Sequence, residues 1–74
     1  MFKKHDRVKL CEGELNGKCG TIVELIKGYS FVNDDISEEV GVLIKVDDGF
    51  PVKGKLEFLL TIEKNSYKCI EKVM

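Results

Sequence analysis

Seventy-four residues hold a single domain, and a chain this short buries only about 60% of its unfolded surface, leaving little volume for an enclosed active site beside a core. Apolar residues at 43% and charged residues at 34% are too ordinary a mixture for a disordered chain. A net charge of −1 lacks the overall basic field that marks most nucleic-acid binders, and apolar runs such as Phe58-Leu59-Leu60 are too short to span a bilayer. Lys3 and Lys4 are followed by no apolar stretch, so no secretory signal is expected. Cys11, Cys19 and Cys69 are odd in number and lack paired spacing, which reads as reduced thiols in an intracellular, cytoplasmic protein.

The first strand is expected over Asp6 to Cys11, with Val8 and Leu10 inward and Arg7 and Lys9 outward. A polar loop, Glu12 to Lys18, carries Gly13 and Gly17, and Leu15 is expected to tuck beneath it. The second strand runs from about Cys19 to Lys27. Ile22 and Leu25 are three apart, so a bulge near Val23-Glu24 is needed to bring both inside, and it would bend the strand. Residues 28–39 form a long connection in which Tyr29 to Val32 extend the hairpin and the remainder is an acidic, exposed excursion. The third strand is Val40 to Val46, with Val42, Ile44 and Val46 on one face. Asp47-Asp48-Gly49 is expected to be a hairpin turn, leading to a short fourth strand, Phe50 to Lys53, where Pro51 implies an edge. Residues 54–57 make a turn, and the fifth strand, Phe58 to Glu63, places Phe58, Leu60 and Ile62 on one face.

Five short strands suit one curved all-β sheet closed on itself, which removes exposed edges. Residues 1–64 form this expected barrel, and residues 65–74 a tail. In the tail Tyr67, Ile70, Val73 and Met74 fall at helical spacing, and Ser66 is a candidate cap. The tail is expected to shield Leu43 and Leu59, which point away from the core. The alternatives are a homodimer face at Leu43 and Leu59, or a frayed terminus.

Val8, Leu10, Gly13, Leu15, Gly17, Gly20, Ile22 and Leu25 together resemble the KOW motif of ribosomal proteins and NusG-type transcription factors. The resemblance covers about 20 residues and implies two strands with the loop between them, Gly20 being the characteristic glycine. The remainder looks like the general plan of a small five-stranded SH3-like barrel. Nucleic-acid-binding members usually offer a strongly basic loop, whereas residues 11–18 hold Glu12 and Glu14 against Lys18 alone.

Candidate chemistry is sparse. His5, Cys11 and Cys19 lack a CxxC pair or a fourth metal ligand, and the cysteines read better as small core residues. Asp34, Asp35, Glu38 and Glu39 do not follow a calcium-loop spacing, and Gly17-Lys18-Cys19 lacks the hydroxyl of a phosphate loop. Neither an enzyme nor a cofactor is expected. Two surfaces remain, each with plain solvated surface as its alternative. Asp34, Asp35, Glu38, Glu39, Asp47, Asp48, Glu12 and Glu14 would attract a basic protein partner. Lys3, Lys4, Arg7, Lys9 and Lys18, with Tyr29 and Phe31 for stacking, would instead hold RNA or DNA. The expectation ranks a non-catalytic protein-binding module first and the nucleic-acid module second. A small inhibitor from a mobile element that mimics nucleic-acid charge is a further alternative.

Overall fold

The computed structural model describes residues 2–29 and 37–73, with backbone alone at Tyr29 and Ser37. The elements are β1 (Arg7–Leu10), a 3₁₀ turn η1 (Gly13–Leu15), β2 (Cys19–Tyr29), β3 (Ser37–Val52), β4 (Lys55–Glu63), a second 3₁₀ segment η2 (Lys64–Cys69) and β5 (Ile70–Val73). All five strands lie in one antiparallel sheet in the order β4-β3-β2-β1-β5.

Alternation sets the core. Val8 and Leu10 of β1 are buried while Arg7 and Lys9 are exposed. Ile22, Val42, Ile44 and Val46 are fully enclosed, and burying each such aliphatic side chain contributes about 1.5–3 kcal/mol. The expected bulge in β2 is present: Ile22 pairs with Ile44 and Glu24 with Leu43, so Val23 is the extra residue. That insertion lets Leu25 pack against the same core as Ile22 despite their three-residue spacing. Ile70 of one edge strand is in the core, and Leu60 and Ile62 of the other edge strand pack against it.

The expected connection 28–39 is shorter, because β2 runs on to Tyr29 and β3 begins at Ser37, so Glu38 and Glu39 are strand residues paired with Gly28 and Lys27. Three further expectations change. First, Asp47-Asp48-Gly49 is not a hairpin turn, and residues 50–53 are not a separate strand. β3 continues to Val52, and the reversal is at Lys53 and Gly54, with φ of 50° and 81°. Two consecutive left-handed residues are what a two-residue hairpin loop demands. Gly49, at φ 71°, instead belongs to a large bulge, where residues 46–49 face Phe58 alone. Turn and bulge both require positive φ, so the Asp-Gly signature fits either. Pro51 keeps its one-sided place, because β2 pairs with β3 only up to Val46.

Second, the tail is not an α-helix lying over Leu43 and Leu59. Lys64–Cys69 form a 3₁₀ segment without a side-chain cap, and Ile70–Val73 pair with β1. Leu59 remains 57% exposed. The apolar spacing of Tyr67 and Ile70 arises because a 3₁₀ residue and a strand residue both reach the core, and the free edge of β1 offers hydrogen bonds that a surface helix would leave unused. Third, Phe58 does not share the enclosed face of Leu60 and Ile62. It is 40% exposed at the point where the β3 bulge interrupts pairing.

Candidate interaction surface

The loop between β1 and β2 is built by backbone hydrogen bonds. The Leu10 amide donates to the Lys18 carbonyl at 2.8 Å and the Gly17 amide to the Leu10 carbonyl at 2.7 Å, while Asn16 closes back on Gly13. Leu15 packs against the core from this loop, leaving Glu12 and Glu14 exposed. Gly13 and Gly17 have φ of 77° and 96° with open space around them, so conformation and not crowding selects glycine there. Gly20 has the opposite requirement. A Cβ on it would meet the Lys45 carbonyl oxygen at 2.6 Å and Ile44 Cγ2 at 2.7 Å.

Arg7 and Asp47, expected on opposing surfaces, form one ion pair. The Arg7 guanidinium donates from Nη1 to Asp47 Oδ1 at 2.8 Å and from Nη2 to Oδ2 at 2.6 Å, and Nη1 also donates to Thr21 Oγ1 at 2.8 Å. This fork joins β1 to β3 across β2. Its hydrogen bonds hold the Asp47 carboxyl below the usual carboxylate range and raise Arg7 further. Charges of opposite sign also meet elsewhere along β1 and β5. Lys9 lies opposite Glu71 of β5, and Lys72 Nζ is 3.5 Å from Asp6 Oδ2. The Lys3 amide also donates to Asp6, and this bond is the main cause of the lowered Asp6 carboxyl pKa. Lys3 and Lys4 are exposed in the lead to β1, and Lys18 is half-buried. His5 presents an exposed side chain, but its backbone amide is held by the Ile22 carbonyl at 2.7 Å.

Among the described residues, the two acidic pairs of β3 lie far apart. Glu38 and Glu39 lie at the start of β3 and Asp47 and Asp48 nine positions further along the same strand, up to about 30 Å in extended geometry. Glu39 is half-buried and accepts a 2.7 Å hydrogen bond from the Tyr67 hydroxyl. Burial first, and then the Glu39 carboxylate, push the Tyr67 phenol up to about 12. Asp34, Asp35 and Phe31, and the side chain of Tyr29, lie outside the described residues.

Exposed apolar residues of the β3–β4 hairpin add to these charges. Leu56 and Leu59 are more than half exposed, and Phe58 and Val52 are also exposed. Leu59 was legible as outward-facing from alternation, whereas Phe58 and Leu56 depended on the bulge and the displaced turn. Among the described residues no group of three or more His, Cys, Asp or Glu is placed to hold a metal ion. Nor is any helix among them long and apolar enough to cross a membrane.

Comparison with protein-family models, with curated proteins and with solved structures found no match.

Proposed function

We propose that this chain is a non-catalytic protein-binding module of the SH3-like barrel type. The strand order supports the barrel reading: β5 returns through a 3₁₀ segment to lie beside β1, and residues from both edge strands meet in one core. The observation that carries the preference for a protein partner is the Arg7–Asp47 fork. It engages the best-placed cation of the basic strand, and the neighbouring charges alternate in sign, so phosphates would meet a mixed field. The exposed Glu12, Glu14, Glu38 and Asp48 favour a partner with basic groups, and the exposed Leu56 and Leu59 offer apolar contact.

A salt titration of binding to generic single- and double-stranded nucleic acid, followed by fluorescence anisotropy, tests this reading. The expected result is no affinity tighter than about 100 µM near physiological salt. Micromolar affinity with a steep salt slope, lost in Lys9→Glu and Lys18→Glu variants, would instead establish the nucleic-acid module.

A further inference from the structure

Cys11 and Cys69 are 58 positions apart in the chain but face each other in the fold. Leu10 pairs with Ile70 in the β1–β5 ladder, and one step on the Cys11 amide donates to the Cys69 carbonyl at 2.9 Å. The two cysteines follow the last pair of the ladder, and in a regular ladder the hydrogen-bonded position they continue has Cα atoms about 5.5 Å apart, inside the span that a disulfide bridges. The Cys11 thiol turns toward η2, with Sγ 3.4 Å from the Lys68 carbonyl oxygen. Both thiols are half-buried and free. Cys19 is placed differently: it pairs with Lys9, two positions away from Cys11 on β1.

We propose that Cys11 and Cys69 are a redox pair whose disulfide locks β5 to β1. The reaction is exchange with a low-molecular-weight disulfide such as oxidised glutathione. One protein thiolate attacks a sulfur of that disulfide, forming a mixed disulfide and releasing one small thiol. The second protein thiolate then attacks the protein sulfur of the mixed disulfide and releases the other small thiol. Two protein thiols are oxidised, one small disulfide is reduced to two thiols, and the two protons end on the released thiols. Burial, with Glu71, Glu12 and Cys69 nearby, raises the Cys11 thiol pKa, so exchange is slow at neutral pH and accelerates in mild alkali.

The lock acts on the weakest part of the sheet. β5 has four residues and a single strand neighbour, yet it supplies Ile70 to the core. A bond from Cys11 to Cys69 encloses β2, β3 and β4 in one covalent loop, and closing a loop of that size strongly restricts the unfolded chain.

The test is incubation of the full chain with oxidised glutathione at mildly alkaline pH, followed by trypsin and mass spectrometry. Cleavage after lysine places the cysteines in three separate peptides, residues 10–18, 19–27 and 69–72. The expected product has lost two hydrogens, links peptide 10–18 to peptide 69–72, and melts at least about 10 °C higher than the reduced protein. Reductant should reverse the shift, Cys19→Ser should keep it, and Cys69→Ser should abolish it. A bridge to Cys19, or glutathione adducts as the only product, would overturn the proposal, and the peptide map decides this on the unmutated chain even if a variant fails to fold.

Discussion

At the scale of single residues, two glycines of the same motif answer to different physics. Gly20 is confined by the Lys45 backbone and the Ile44 side chain, whereas Gly13 stands in open space at positive φ. Gly20→Ala is expected to cost about 1–3 kcal/mol through crowding, and Gly20→Asn more. Gly13→Ala is expected to cost about 1 kcal/mol, and Gly13→Asn to recover part of it, because asparagine tolerates the left-handed region. Denaturant unfolding of the four variants separates crowding from conformation, and equal behaviour of the two asparagine variants would refute the distinction. Tyr67 offers a second residue-level check. Its folded-state pKa is raised, so its contribution is complete below the ordinary phenol range and is lost as pH rises from about 10 toward about 12. Near-ultraviolet titration should show a late ionisation that is absent in Tyr67→Phe, and that variant should lose about 1 kcal/mol near neutral pH.

At the scale of elements, β1 and β2 were legible because strict alternation and one forced bulge leave a single arrangement that buries Val8, Leu10, Ile22 and Leu25. The β3–β4 hairpin was not, because its strongest turn signature serves as a bulge. Lys53 adopts positive φ at a cost that asparagine avoids. Lys53→Asn is therefore expected to stabilise the protein by about 0.5 kcal/mol, measured as a higher denaturant midpoint. A lower midpoint would argue against the two-residue loop. The tail misled for a related reason: helical spacing of apolar residues counts inward contacts, and η2 followed by β5 makes the same contacts with different backbone bonds.

At the scale of the whole molecule, the Arg7–Asp47 fork ties strands that are not neighbours and removes two charges from separate expected surfaces. Because the Asp47 pKa is depressed on folding, its stabilisation is present above the ordinary carboxylate range and is lost as pH falls through the folded value. Melting temperatures below about pH 4 should fall less steeply in Asp47→Asn than in the parent chain, with a remaining slope from Asp6, whose pKa is also lowered. Identical slopes would mean that the fork contributes nothing to acid sensitivity.

What the amino-acid order determined by itself was the all-β class, the inward faces of the first three strands and the glycine-built loop. These follow from local rules, the two-residue period of a strand and the φ range of glycine, that act over a few positions. Tertiary structure alone decided which cation meets which carboxylate, that Cys11 faces Cys69, and that the tail is a strand. Each depends on register between segments far apart in the chain, and in an antiparallel sheet a bulge of one residue resets every pairing beyond it.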